Sequence, residues 1–171
     1  MENAPSVSVL IPTYNRAGQV VRAVESVLAQ SRRVLEVIVI DDGSIDRTRQ
    51  ALETCLEQQG ELGKRVRYIY QENQGKSVAL NNALARAAGE WIAFLDSDDS
   101  WLPEKLECQF RILEQFGPAC GACFTDAQFI NDPGLNATAF QHAQKPYGNR
   151  IGLLPDPEEL FFGTRRSGLW M

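Results

Sequence analysis

Apolar positions along this chain fall into short continuous runs that alternate with longer segments of helical spacing. Residues 7–11 form a β-branched and leucine run closed by Pro12, and Val20, Val21, Val24, Val27 and Leu28 then recur on one helical face over 18–30. Residues 35–40 are nearly continuous in apolar side chains, the pattern of a strand covered on both faces. Asp46 is a candidate N-cap for a helix reaching about Gln59, where Gly60 ends it. A third strand is predicted over 66–70, and an alanine- and leucine-rich helix over 76–88, stopped by Gly89. Residues 91–95 predict a fourth strand, and Pro103 opens a helix to Phe116 at a tolerated first-turn position. A fifth strand is expected over 120–124, a turn-rich loop over 131–155, and a short helix over 157–162. This alternation predicts an α/β fold with a Rossmann-like, doubly wound, mostly parallel sheet.

In such sheets ligands bind beyond the carboxyl ends of the strands. The rule selects Pro12-Thr13-Tyr14-Asn15, Asp41-Asp42-Gly43-Ser44, Gln71-Glu72-Asn73-Gln74-Gly75 and Asp96-Ser97-Asp98-Asp99. Five aspartates gathered at two strand ends, read here as neighbouring, repel one another unless they share a cation. An all-oxygen set of this kind suits Mg²⁺ or Mn²⁺. The plainer reading of Asp42 and Asp99 is that each caps the helix that follows it.

Composition narrows the partners. A formal net charge of −5 argues against nucleic acid and against anionic membrane as non-specific partners. At 171 residues the chain is expected to be one domain. No apolar run is long enough to span a bilayer, and the first residues lack the basic region and apolar core of a signal peptide. The cytoplasm is the expected compartment, with a peripheral position at a membrane compatible with the sequence. Cys120 and Cys123 have the spacing of half a zinc site, but Cys55 and Cys108 are solitary, so buried thiols are the expectation. His142, in a polar stretch, reads as a surface residue.

Four segments together resemble one family. Val7-Ser8-Val9-Leu10-Ile11-Pro12-Thr13-Tyr14-Asn15 resembles the opening strand and loop of family-two glycosyltransferases. Glu36 to Ser44 with Asp46 and Thr48 is similar to their second motif, and Asn73-Gln74-Gly75-Lys76-Ser77 with Ala79 and Asn81 to their third. Gly89 to Asp99 resembles the segment that bears the family's Asp-x-Asp signature. The resemblance covers about residues 6–126 and implies a GT-A nucleotide-sugar site in an inverting enzyme of cell-wall or polysaccharide biosynthesis.

Residue by residue, it implies that Pro12, Thr13 and Tyr14 flank the nucleobase, with Asn15 beside them. Asp42 would accept a hydrogen bond from the base, which fits UDP because uracil N3–H is a donor. Asp96 would lie by the ribose with Ser97 next to it. Asp98 would coordinate Mg²⁺ or Mn²⁺ on the diphosphate, with Asp96 counted alongside it as a metal ligand. Lys76, chosen for its charge near the third strand end, would meet a phosphate. The acceptor implied is a saccharide, a lipid-linked molecule or a protein, attacked in a single displacement with a carboxylate as general base. In the family that base follows a further strand, and Trp170-Met171 fall where that strand is expected to begin. The expectation is therefore a GT-A-type domain over 1–171 that stops before its base, leaving Asp126, Asp132 and Asp156 as downstream aspartates out of the base position.

Two other readings fit part of the chain. A phosphotransferase with an aspartyl nucleophile uses a strand followed by Asp-x-Asp-x-Ser, as in Asp96-Ser97-Asp98-Asp99-Ser100, but normally at the first core strand. A non-catalytic nucleotide-sugar-binding module would keep the donor residues without turnover. Gly75-Lys76-Ser77 lacks the first glycine of a Walker A loop, which falls at Tyr70, and Trp101 occupies the glycine position of an EF-hand. Sugar, acceptor and oligomeric state stay open. The apolar side chains at 160–162 and 169–170 are candidates to pack on a second copy, another partner or a membrane surface.

Overall fold

The structure is a computed structural model that describes residues 5–117, 120–130 and 138–142. It contains two compact units, one ending at Cys108 and the other beginning at Gln109.

The first unit alternates β1 (Val7–Thr13), α1 (Ala17–Leu28), β2 (Glu36–Asp42), α2 (Thr48–Gln58), a 3₁₀ turn (Gly63–Arg65), β3 (Val66–Gln71), α3 (Lys76–Leu84) and β4 (Trp91–Phe94). Every pairing is parallel and the strand order is β3-β2-β1-β4. All seven residues of β1 and of β2 are buried, as their continuous apolar runs require. Right-handed crossovers carry the chain outward from β1 to β3 and then back across to β4. The reversal puts α3 on the opposite face of the sheet from α1 and α2. There its small Ala79 and Ala83 allow close approach to Leu10, Ile38 and Ile40. The amphipathic stripe of α1 buries Val20, Ala23, Val24 and Val27.

One residue of β1 shapes the end of this sheet. Leu95 N–H donates to Leu10 O, so the polar groups of Leu10 face β4, and by the alternation of a strand so do those of Pro12. Pro12 has no N–H to give, and the β1–β4 register ends at the Leu10–Phe94 pair. On the other edge β1 stays paired with β2 out to Thr13–Asp41. The two strands therefore part just where the chemistry-bearing residues begin.

At the opposite end of the strands a buried carboxylate pins the return crossover. Glu36 Oε1 accepts from Ser8 Oγ and Ala88 N, both at 2.8 Å, and Glu36 Oε2 accepts from Arg67 Nη1 at 2.8 Å. Ser8 Oγ in turn accepts from Gly89 N at 2.8 Å. Gly89 packs so tightly here that a Cβ would lie 2.4 Å from Ser8 N. The contiguous apolar reading of 35–40 left Glu36 without this part.

In the second unit, the described residues after α4 (Lys105–Phe116) form no fifth strand. Residues 120–127 carry no regular structure, and pairing is limited to an isolated antiparallel bridge between Gln128 and Thr138, followed by α5 (Ala139–His142). Within the run at 120–124, Cys123 O accepts from the Gln109 side chain at 3.3 Å rather than from a neighbouring strand. The α5 turn falls within the stretch expected to be loop, and His142 lies on it rather than in a loop. Cys120 and Cys123 form no disulfide and are half-exposed rather than buried. The helix expected over 157–162, Asp132, Asp156 and the apolar residues at 160–162 and 169–170 lie outside the described residues. Among the described residues no helix is long and apolar enough to cross a membrane.

The Glu36 cluster sets a pH signature for stability. Burial alone would raise the Glu36 carboxyl, but the Ala88 N–H, the Ser8 hydroxyl and Arg67 outweigh it and hold it below its ordinary value. A depressed folded value stabilises above the unfolded carboxylate range of about 4.3, and that contribution is lost as pH falls through the folded value. Glu36→Gln should cost about 1–3 kcal/mol at pH 7, because an amide group then faces Arg67. Denaturant unfolding at pH 7 and pH 3 should show the gap between wild type and variant closing at the lower pH. A gap of constant size would show that the charge of Glu36 is not what stabilises the crossover.

Candidate active site

Where β1 and β4 part, a cleft of about 370 Å³ opens beyond the carboxyl ends of the strands. It sits at the point where the strand order reverses, the usual ligand position in a doubly wound sheet. Its walls are Pro12, Thr13, Tyr14 and Arg16 after β1, Asp42 at the end of β2, Asn73, Gly75 and Lys76 after β3, and Asp96, Ser97 and Asp98 after β4. Seven of the eight residues expected to contact the donor line it, as do both expected metal ligands, Asp96 and Asp98. Asn15 does not.

Asn15 instead ties two loops together. It adopts φ 51, a left-handed conformation that asparagine tolerates, and its Oδ1 accepts from Ile45 N at 2.8 Å and Asp46 N at 3.3 Å. Asn15 N donates to Ser44 Oγ at 2.8 Å. The start of α1 is held from the same loop, with Arg16 N on Thr48 Oγ1 at 3.1 Å and Ala17 N on Asp46 Oδ2 at 3.3 Å. Asp46 also accepts from Thr48 N at 2.9 Å and from the Thr48 hydroxyl. The N-cap position of α2 (Thr48–Gln58) therefore falls at Arg47 rather than at Asp46, whose carboxylate instead links the first residues of α1 and α2.

The aspartates separate into different environments. β1 lies between β2 and β4, so the two acidic strand ends are not neighbours in the sheet. Asp41 is fully buried outside the cleft lining, accepting from Tyr68 Oη at 2.6 Å and Ser44 N at 2.8 Å. Burial and then the Asp41 bond push the Tyr68 phenol far above its ordinary value. Asp42 is buried too, and neither reading of it anticipated its bonds. Its Oδ1 accepts from Gln71 Nε2 at 2.7 Å and Gln74 N at 2.9 Å, and its Oδ2 from Gly75 N at 2.8 Å. It braces the loop that leads into α3 rather than capping α2. A carboxylate has about four acceptor sites, so one on Oδ2 is left for a ligand. Gly43 allows this loop to come close, since a Cβ there would lie 2.8 Å from Asn73 N.

Opposite, Asp96 and Asp98 each hold a cation. Lys76 Nζ reaches Asp96 Oδ1 at 2.6 Å and Oδ2 at 2.8 Å, and Arg16 Nη1 lies 2.5 Å from Asp98 Oδ2. Lys76 therefore stands at the acidic end of the cleft. Asp99 is the odd member: burial first, then Asp98 and Asp96, raise its carboxyl above the ordinary value, with Lys76 and Arg16 pulling the other way. Its N–H bonds Asp96 O at 3.0 Å in a turn, so it caps no helix through that contact. The Thr13 hydroxyl is buried, lines the cleft and has no partner, the one such side-chain atom among the described residues. Tyr14, by contrast, exposes 47% of its surface and offers an aromatic face at the rim.

Among the described residues no group of three or more His, Cys, Asp or Glu could enclose a metal. Asp96 and Asp98 both line the cleft and present carboxylate oxygens, the ligand type that a hard cation such as Mg²⁺ prefers, with water and phosphate completing its shell. Sequence reasoning missed Arg16, and it selected Asn73 and Gly75 at the third strand end without giving either a role. Arg16 follows Asn15 directly, and its charge beside the first motif was the available signal.

An acidic cleft with an aromatic rim, set at the switch point of a parallel sheet, defines the chain as an α/β protein with a ligand site beyond the carboxyl ends of its strands. Residues 8–168 match the model of Glycosyl transferase family 2, and the chain belongs to that family. It is 39% identical over 140 residues to a putative teichuronic acid biosynthesis glycosyltransferase, TuaG, of Bacillus subtilis, matching 81% of this chain and 53% of that one. It resembles the mannosyltransferase PcManGT of Pyrobaculum calidifontis, solved with GDP-Man and Mn²⁺, at TM-score 0.62 and 27% identity over 78% of this chain and 37% of that one. S. aureus TarS in complex with UDP-GlcNAc superposes at TM-score 0.56 and 30% identity over 64% of this chain and 31% of that one. These neighbours make the fold GT-A-like. The chain spans about half the length of the Bacillus relative and less of the others.

Asp42 offers a direct check on how the cleft is held. Asp42→Ala removes the acceptor of two backbone N–H groups, and an unsatisfied buried donor costs about 1–3 kcal/mol. The Gln74 and Gly75 amides should then exchange with solvent markedly faster in ²H₂O, while the amides of β1 keep their protection. Unchanged exchange at Gln74 and Gly75 would remove Asp42 as the brace.

Proposed function

We propose that this chain is the donor-binding part of an inverting glycosyltransferase that moves a sugar from a nucleotide-sugar, with UDP the favoured nucleotide, to an acceptor hydroxyl. The observation that carries the reading is the cleft itself, where Asp96 and Asp98 face Thr13 and Tyr14 across a volume suited to a nucleotide. The solved neighbours that hold UDP-GlcNAc and GDP-Man support the donor class.

In this reading Tyr14 stacks on the base and the free acceptor site on Asp42 Oδ2 receives uracil N3–H, with the orphan hydroxyl of Thr13 close by to gain a partner. Asp96 and Ser97 contact the ribose. Lys76 meets a phosphate. Asp98, with Asp96, would hold Mg²⁺ or Mn²⁺. When bound, that cation would neutralise charge developing on the departing diphosphate. In the reaction the acceptor oxygen forms a bond to the anomeric carbon as the bond from that carbon to the diphosphate oxygen breaks, and the electron pair leaves with the nucleoside diphosphate. The acceptor proton passes to a carboxylate expected from a segment other than the four that build the cleft. The acceptor is a saccharide, a lipid-linked molecule or a protein, and the relative named for teichuronic acid biosynthesis supports a growing polysaccharide.

Metal and nucleotide should bind cooperatively, because without a divalent cation a diphosphate finds Arg16 and Lys76 already paired with Asp98 and Asp96, and freeing either leaves a bare carboxylate beside it. Calorimetric titration of UDP should give an affinity raised by Mn²⁺ over chelator within the range of about 5–150-fold, and Mn²⁺ affinity should rise by the same factor with UDP. Asp98→Ala should collapse that factor towards one without unfolding the protein, because the residue lies beyond a strand end. CDP, with no N3 donor, should bind more weakly than UDP. UDP binding indifferent to metal in the wild type would defeat the assignment of Asp98.

A further inference from the structure

The two carboxylates assigned to the cation are each held by a side-chain cation of the cleft itself. Arg16 Nη1 takes Asp98 and Lys76 Nζ takes Asp96 through both oxygens. Neither pair is locked in place, because Arg16 and Asp98 expose 40% and 42% of their side chains. Only the stem of Arg16 is fixed, by the bond from its backbone N–H to Thr48 Oγ1 at the start of α1. The backbone of Arg16 is thus anchored on the wall of the cleft while its guanidinium stays solvent-accessible.

This arrangement has a consequence for ligands that arrive singly. A divalent cation alone finds both carboxylates neutralised, and a diphosphate alone finds both cations neutralised. Arriving together, the two ligands offer each protein charge a replacement partner: carboxylates for the metal, guanidinium and ammonium for the phosphates. The planar guanidinium fork matches phosphate oxygens two at a time, so the exchange does not leave Arg16 poorly paired.

Building on the donor reading, we propose that Arg16 is an exchangeable counter-cation: it occupies Asp98 in the empty cleft and moves to the donor's diphosphate as Asp98 turns to the divalent cation. Arg16 is thus a positioning residue for the metal site and a contact for the donor. Part of the coupling between metal and nucleotide is carried by this change of partners, and reciprocity requires that it appear in both affinities.

The test measures binding on the full chain. Mn²⁺ affinity without nucleotide, read by electron paramagnetic resonance of the free ion, is compared in wild type, Arg16→Ala and Arg16→Gln. The glutamine variant keeps length without charge, and thermal unfolding confirms that both variants fold. Both should bind Mn²⁺ alone roughly three- to ten-fold more tightly, since a competing cation has gone. UDP in the presence of Mn²⁺ should bind both more weakly than wild type, so the coupling factor contracts from both sides. Arg16→Lys, which keeps a charge without the fork, should fall between. UDP binding in the wild type with unchanged or weakened Mn²⁺ affinity in Arg16→Ala and Arg16→Gln would overturn the exchange alone, leaving a static surface pair. Absence of UDP binding to the wild type under any metal condition would instead overturn the donor reading and the exchange with it.

Discussion

The cleft exists because β1 loses its partner on one edge before it loses the other. Pairing with β4 ends at Leu10, whereas pairing with β2 continues to Thr13. Pro12 points its nitrogen towards β4 and has no hydrogen to donate, so the ladder cannot run on there. Its neighbours are held rigidly nonetheless, since β1 is buried throughout and bonded to β2. The result is a wall fixed on one side and open on the other. A site that must present a buried hydroxyl and an exposed ring two residues from a strand end needs this combination of stiffness and opening.

The loops that close the rest of the cleft are rigidified by side chains bonding to backbone rather than by packing. Asn15 spans to Ile45 and Asp46, Asp41 to Ser44, and Asp42 to Gln74 and Gly75. Each bond satisfies a backbone N–H that a loop would otherwise give to water. Together they lock the ends of β1, β2 and β3 to one another without occupying the space between them. Acidic residues serve two ends here. Asp41 and Asp42 spend most of their acceptor capacity on architecture, while Asp96 and Asp98 pair with the solvent-accessible cations Lys76 and Arg16.

That division governs how the negative charge of an acidic protein is distributed around the cleft. Carboxylates tied to N–H groups have their charge absorbed locally, and those facing the cleft are balanced by Lys76 and Arg16. The Asp99 carboxyl is raised first by burial and then by the neighbouring charges of Asp98 and Asp96. At the far end of the sheet Glu36 is likewise absorbed, by Ser8, Arg67 and the Ala88 N–H, so the return crossover to β4 is held in register with β1.

The alternation of apolar runs with helical spacing was sufficient to set the elements of the first unit, each within a few residues of its observed bounds, because parallel strands buried on both faces leave little freedom in composition. The strand-end rule then located the cleft; the motifs selected Pro12, Thr13, Tyr14, Asp42, Asp96, Ser97 and Asp98, and charge at a strand end selected Lys76, all of which line it. Periodicity failed at 120–124, where an apolar run carries no regular structure. It was equally silent on order across the sheet, so Asp41 and Asp42 read as neighbours of Asp96 and Asp98 until β1 was found between them. Which acceptors a side chain spends locally was decided only by tertiary structure. Asn15 turned from ligand contact to strut, Asp42 became a brace for a loop some thirty residues away, and Arg16 entered the site through Asp98, 82 residues further along the chain. Hydrogen bonds and ion pairs between loops depend on directions in space that no spacing along the chain encodes.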